Sequence, residues 1–464
     1  MKGQHNRNAK MLQEKARGQA ERIAEAFAAE EINVVTEYDQ DGGVSFMYVE
    51  GHLLVREEYL ERVQLILGQP TDLRNVTLVV GGIVRLTLVT ARKSPHIKVE
   101  AGKKPPVLLA LRAVDEELDQ GAATPDHVLT VAPSGPCPAT EPEEVYDETE
   151  PCPGICTENS GEGVLVYIGD TGLLEDHAYQ HPWLAGVHRG KDPDGVEQHW
   201  EAELEPDPLD GVMRIPPYTG HGTFVAGVVR CMAPEAEVIV ANIFKIAGSS
   251  LESHLVRQLR HALGLGVDIF HLSIAAPTRR GIPLIAFEGW LKLVGQYKGV
   301  VCVVAAGNDG TQVPSWPAAF SQVVSVGALG ADWHDRAGFS NYGGWVDVYA
   351  PGRDLINAYA TGQYRCRDLP YTDERRNFYG MAKWSGTSFS TPIVTGLIAA
   401  RMWRTGENGK EAAAALLREA RAQAIPGVGP ILLPCDRGPE RCECGHRSDR
   451  CECGHRCGGC GCGH

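Results

Sequence analysis

Four tripeptides lying between residues 170 and 388 must meet in space if they act together, and that demand limits the fold more than composition does. They are Asp170-Thr171-Gly172, His221-Gly222-Thr223, Ala306-Gly307-Asn308 and Gly386-Thr387-Ser388. Between them they offer a carboxylate, an imidazole, an amide and a hydroxyl. A serine hydroxyl is a weak nucleophile at neutral pH unless a base within hydrogen-bond reach takes its proton. The base needs a carboxylate on its other nitrogen to set its tautomer and stabilise its cation. The oxyanion that then forms needs a donor aimed in advance, and an asparagine amide can be one. These are the groups that acyl transfer by a serine hydrolase requires. Singly, each has an ordinary reading: a strand-end Asp, a helix-start His, a loop Asn and a capping Ser. Together and in this order they point to one site.

Local patterns agree. Asp170 ends an apolar run over 164–168, and Asn308 follows another over 300–304. Functional groups collect at the carboxyl ends of strands in open parallel sheets. His221 and Ser388 each stand where a glycine-containing turn enters a helical pattern, Gly220-His221-Gly222-Thr223-Phe224 and Ser385-Gly386-Thr387-Ser388-Phe389. A helix start exposes backbone N–H groups and carries partial positive charge, so Ser388 gains a second oxyanion donor beside Asn308. Pro392 is expected in the first turns of that helix, where a missing N–H costs little. Strand and helix patterns alternate over 238–241, 251–265, 267–274, 284–294 and 300–305. That alternation predicts right-handed βαβ crossovers and a parallel sheet with helices on both faces.

On these segments the chain resembles the subtilisin-like serine peptidases, the subtilase family. Supporting likeness lies in Trp316-Pro317-Ala318, Phe339-Ser340-Asn341-Tyr342-Gly343 and Val346-Asp347-Val348-Tyr349-Ala350-Pro351-Gly352, and the whole runs from about Gly163 to about Arg404. The resemblance implies an α/β subtilisin-like fold and a serine endopeptidase acting on protein or peptide substrates. Carried over onto matching positions, Asp170, His221 and Ser388 form the triad and Asn308 is the oxyanion donor. No cofactor is required for that chemistry. Ser273, Ile274, Ala275 and Ala276 resemble the strand that binds substrate backbone, with Ala306 and Gly307 completing the substrate-binding set. Relatives usually carry glycines where Ala275 and Ala276 stand. A glycine permits close approach of a peptide, so the added methyls predict a restricted pocket that favours slim side chains; a small shift of the loop would leave specificity broad. An alternative of another class is an autoinhibited or silent binding module on the same fold.

The remaining chain divides by composition. Residues 1–31 read as a polar helix. Residues 32–133 read as a small α+β domain, with strands over 34–38, 44–49, 76–80, 84–89 and 127–131 and a helix over 57–67 whose apolar face offers Leu60, Val63, Leu65 and Ile66. Its position matches the folding-assisting propeptide common in subtilases, and an intramolecular inhibitor is the partner this implies; an unrelated sensing or docking domain is the other reading. Residues 134–162, rich in Pro, Glu and Cys, predict an exposed acidic linker where self-cleavage concentrates. Cys137, Cys152 and Cys156 there can pair or bind metal. Residues 163–425 form the peptidase domain, and within it an acidic insertion over 191–217 offers calcium ligands without regular spacing.

The last 23 residues of the tail, 426–464, hold seven of the chain's 14 cysteines. Cys442, Cys444 and His446 recur as Cys451, Cys453 and His455, followed by Cys457, Cys460, Cys462 and His464. Thiolates and imidazoles suit zinc or another soft metal, although Cys-x-Cys is tighter than common finger spacing and the tail lacks apolar residues to fold around an ion. A low-complexity extension is the alternative. Cys231 and Cys302 lie in apolar patterns and read as core residues. A formal charge of −15 argues against nucleic acid, whose phosphates need clustered Lys and Arg. No apolar run approaches the ~20 residues of a membrane span. The polar start of the chain lacks an export-signal pattern, so a cytoplasmic location is expected.

Overall fold

The computed structural model describes residues 2–434 except 72, 91–95, 99–102, 132–138, 147–149, 200–211, 245, 368–370 and 372; side chains of 2–12 and 15 also lie outside the description. The tail cysteines and histidines, and Cys137, therefore fall outside it. Among the described residues no helix is long and apolar enough to cross a membrane.

The first part of the chain contains α1 (Lys2–Ala29), β1 (Val34–Tyr38), β2 (Val44–Arg56), α2 (Leu60–Ile66), β3 (Val76–Val80), β4 (Ile83–Thr87), α3 (Val107–Glu117) and β5 (Ala123–Thr130). The second contains β6 (Leu165–Asp170), α4 (His177–Gln180), β7 (Val187–Arg189), β8 (Arg214–Ile215), α5 (His221–Met232), β9 (Glu237–Asn242), β10 (Ser249–Leu251), α6 (Glu252–Leu263), β11 (Ile269–Leu272), α7 (Ile285–Val294), β12 (Val301–Ala305), β13 (Val324–Leu329), β14 (Val348–Pro351), β15 (Leu355–Arg365), β16 (Arg375–Trp384), α8 (Thr387–Thr405) and α9 (Gly409–Ala422).

Seven strands form the expected parallel sheet in the order β14-β13-β12-β11-β6-β9-β7. Both faces are buried, which is why its strands read as unbroken apolar runs. On β6, Val166 and Ile168 pack with α5 and α8 through Phe224, Val228, Phe389 and Ile393. Tyr167 points the other way, into a core with Phe270, Leu255, Leu259, Phe287 and Trp290 of β11, α6 and α7. Cys231 and Cys302 are buried core residues, as their apolar surroundings predicted.

The N-terminal unit is a sheet of order β5-β2-β4-β3 with β1 on the side of β2, and β10 of the peptidase region adds to its β5 edge. One face carries α2 and α3, burying Leu60, Val63, Ile66, Leu111 and Val114. The other face sets Leu54, Val79, Val80 and Ile83 against α6 and α7 in the same core as the peptidase sheet. Gly81, at φ +48°, makes the closest approach: a methyl there would lie 2.4 Å from the Gly289 carbonyl of α7.

Two sequence expectations need correction, and two elements carry no clear sequence signal. Leu65 is 62% exposed rather than on the apolar face of its helix, because Leu60, Val63 and Ile66 already fill that stripe. Helix α3 went unread, since its start Val107-Leu108-Leu109-Ala110-Leu111 is apolar without helical periodicity. The stretch read as an exposed linker is largely docked: Glu141, Pro142 and Cys156 are buried, Glu143 pairs with Lys383 and Cys152 with Ile356, and Cys156 is held in a disulfide. The antiparallel β15–β16 ribbon that receives Glu143 was also not foreseen.

Candidate active site

Asp170 is the last residue of β6, flanked by β9 and β11, and is fully buried. Its Oδ1 accepts from the Thr171 N–H at 2.7 Å and from His221 Nδ1 at 2.7 Å. A carboxylate only accepts, so Nδ1 carries the proton, and in the neutral imidazole Nε2 is then the nitrogen with the lone pair. Nε2 is buried with no hydrogen-bond partner among the described residues. The first turn of α5 can come this close because of Gly222: a methyl there would lie 2.2 Å from the Gly172 carbonyl. Thr171 Oγ1 accepts from the Gly222 N–H, and Thr223 Oγ1 from the Leu174 N–H, locking the turn after β6 to the helix start. Trp384 meets the imidazole edge-on at 5.6 Å between ring centroids, and Phe389, the residue after Ser388, lies at 5.4 Å. These rings fix the plane of His221 and place it beside the start of α8.

Ser388 is the second residue of α8. Pro392 sits beyond the turn where N–H groups lack partners anyway, which corrects the expectation for it. Its missing donor is the one that would have served the Ser388 carbonyl in the i→i−4 ladder. The Ser273 hydroxyl fills the gap, donating to that carbonyl at 3.0 Å. His271 backs Ser273, with Nε2 at 2.9 Å from its Oγ and Nδ1 at 3.0 Å from Thr395 Oγ1. Since the Ser273 proton is committed to Ser388, Nε2–H donates to Ser273, while the Thr395 hydroxyl beside Nδ1 itself donates to the Thr391 carbonyl at 3.0 Å. The ring is fully buried, and desolvation holds its pKa down at about 3, so it is neutral under the serine. Sequence reading passed over His271; its one signal was a titratable residue inside the otherwise apolar run of β11.

Asn308 Oδ1 accepts from the Thr387 N–H at 2.8 Å and from Thr387 Oγ1 at 3.0 Å. With the oxygen engaged, the amide NH2 is the end left to face a substrate. Asn341 holds the loop behind it, its Nδ2 donating to the Ala306 carbonyl at 2.9 Å while its Oδ1 accepts from the Asp309 and Thr311 N–H groups.

Of the expected substrate-binding residues, Ser273 is spent on the Ser388 carbonyl and Ile274 is buried. Ala275 exchanges backbone hydrogen bonds with Thr130 of the N-terminal unit, and Ala276 with Trp316. Ala306 and Gly307 are buried opposite them: a methyl on Gly307 would lie 3.6 Å from the Ala275 Cβ. The two segments thus face each other across a narrow slot. Among the described residues no group of three or more His, Cys, Asp or Glu is placed to hold a metal; the tail ligands and part of the acidic insertion lie outside them.

A parallel α/β domain whose strand ends and helix starts gather a carboxylate, an imidazole, an amide and a serine is a subtilisin-like peptidase domain. The chain belongs to the subtilase family, whose model matches residues 161–428, and it is a peptide-bond hydrolase. It is 30% identical over 261 residues to an intracellular serine protease of Paenibacillus polymyxa, covering 53% of this chain and 69% of that one. It is 28% identical to thermitase of Thermoactinomyces vulgaris, covering 58% of this chain and 84% of that one. In fold it is similar to fervidolysin from Fervidobacterium pennivorans, with a TM-score of 0.53 at 18% identity, covering 83% of this chain and 60% of that one. That coverage exceeds the share matched by the family model, so the likeness of fold reaches beyond the peptidase domain.

Proposed function

We propose that the chain cleaves peptide bonds with Ser388 as nucleophile, His221 as general base and then acid, Asp170 as the group that orients and stabilises the imidazolium, and Asn308 with backbone N–H groups at the start of α8 as the oxyanion site. The observation that carries this reading is the 2.7 Å Asp170–His221 bond, which leaves a bare Nε2 beside the residues flanking Ser388. The serine adds to the carbonyl carbon while its proton passes to Nε2. The tetrahedral oxyanion collapses, and Nε2 returns the proton to the departing amine; water repeats the cycle on the acyl-serine. Residues 275–276 and 306–307 hold the substrate backbone, and the Ala275 methyl restricts the pocket between them.

The N-terminal unit is read as an intramolecular inhibitor. Its support is the antiparallel exchange between Thr130 and Ala275 (3.1 and 3.4 Å), with the Val131 N–H bound to the Gly248 carbonyl at 3.0 Å. These are strand bonds that a substrate would need. Catalysis itself calls for no cofactor, and a soft-metal role for the tail and a cytoplasmic location stand as proposals from sequence.

The test is labelling with a fluorophosphonate. Ser388 of the wild type reacts, faster once the N-terminal unit is released, while Ser388→Ala abolishes both labelling and peptide hydrolysis and keeps its circular dichroism. Hydrolysis undiminished in Ser388→Ala would exclude this assignment.

A further inference from the structure

We propose that the face of the β15–β16 ribbon beside Ser388 is a docking site for an extended, glutamate-bearing peptide, and that residues 139–146 of this chain are its resident occupant. The proposal rests on the reading of Ser388 as nucleophile and names what the ground next to it recognises. The Ala139 N–H donates to the Ser385 carbonyl at 3.1 Å, three residues before Ser388, and Trp384 Nε1 donates to the Thr140 carbonyl at 2.7 Å. Glu143 and Lys383 exchange both backbone hydrogen bonds, at 2.8 and 2.9 Å, and their side chains pair at 2.8 Å. Arg376 Nη1 takes the Pro142 carbonyl at 2.7 Å. The segment thus lies on the ribbon as an added strand.

Between those backbone contacts Glu141 turns down and is only 5% exposed. A carboxylate is buried only where donors replace its water, and here the ribbon supplies them. Oε1 accepts from the Tyr364 hydroxyl at 3.0 Å and from the Arg367 N–H at 2.5 Å, and the Arg376 guanidinium feels the same charge. Every one of these partners belongs to β15, β16 or the turn between them, so the pocket is a recognition element of the peptidase domain.

Chain direction says which half of a substrate this is. Residues 128–131 pair with Ser249–Leu251, Ala275 and Gly248; residues 139–143 pair with Ser385 and Lys383, three and five residues before Ser388. Running from N to C, a peptide meets the first set before the cut bond and the second set after it. The ribbon is therefore where the leaving-group half of a substrate lies, and it takes acidic residues there in competition with residues 139–146.

Binding tests this without catalysis. In full-length protein carrying Ser388→Ala, Glu141→Ala and Glu143→Lys, the strand is released; the acetylated, fluorescent octapeptide of residues 139–146 then binds, as read by anisotropy. Glu141→Gln in the octapeptide, or Tyr364→Phe in the protein, weakens binding roughly tenfold, the scale of one hydrogen bond to a buried charge. No binding to the released protein, or equal binding of the Gln peptide, overturns the proposal. A second measurement uses active protein, with rates expressed per fluorophosphonate-reactive Ser388. Glu141→Ala raises kcat/KM roughly tenfold for peptides with glutamate after the cut and leaves p-nitroanilides unchanged. An equal change in both overturns it. An unreactive Ser388 counts against the triad, and the binding arm still decides the docking site.

Discussion

Replacing His271 by asparagine removes a proton-binding site that only the unfolded chain fills near pH 5. The ring is fully buried, each nitrogen is bonded to a hydroxyl, and its pKa is held at about 3 against an ordinary 6.5. The sign follows from the lowered value: the neutral ring favours the folded state, and the contribution is complete above pH 6.5 and shrinks as pH falls toward 3. Between pH 7.5 and pH 5 the unfolded chain binds this proton and the folded one does not. The wild type loses about 2 kcal/mol through this residue alone. His181 and His52, also lowered to about 4 by burial, add to the loss in both proteins, so the difference between them isolates His271. Asparagine keeps a donor and an acceptor for Ser273 and Thr395 but does not titrate. Urea unfolding of both proteins at the two pH values, in a Ser388→Ala background to prevent self-digestion, gives the comparison. A loss on acidification that is the same for wild type and His271→Asn would refute the neutral, desolvated ring.

Other outcomes follow from single contacts. Thr387→Val deletes one of the two donors that aim Asn308 and lowers kcat about five- to tenfold, the scale of one neutral hydrogen bond, with KM little changed in steady-state assays; Asn308→Ala, which removes the donor itself, costs more. Ala275→Gly opens the slot toward Gly307, so a peptide library shifts toward bulkier side chains before the cut; an unchanged profile argues that this methyl does not set the pocket. Asp126 is fully buried between the two units, accepting from the Ser253 N–H and hydroxyl, and burial raises its pKa. A raised carboxyl favours the docked state at low pH and withdraws that support as pH rises through the docked value. Hydrogen exchange of residues 249–251 then shows protection in Asp126→Asn gaining on wild type with rising pH; a constant ratio contradicts it.

The peptidase domain was legible because its signals are local. Runs of β-branched residues mark β6, β9 and β12, and glycine turns mark the starts of α5 and α8. Asp170, His221, Asn308 and Ser388 fall at those junctions, where backbone geometry leaves few residue choices. What escaped reading depends on distant partners. Glu141 looks like one acid among many until Tyr364 and Arg367 surround it. His271 looks like an interruption of a strand until Pro392, four residues after Ser388, explains why the serine carbonyl needs a hydroxyl beneath it. Trp384 shows its role only when its edge meets His221. Helix α3 was hidden for a different reason: buried against its sheet on a broad front, it carries too few polar positions to show a period.

The sheet shared between the two units has a price at separation. With β5 gone, Ser249–Leu251 becomes a bare strand margin whose amides seek new company, and the greasy flanks of α6 and α7 lose their cover. Margins of this kind invite self-association, so a freed enzyme is soluble for long only while client polypeptides, or the remnant on its ribbon, keep its open seams occupied.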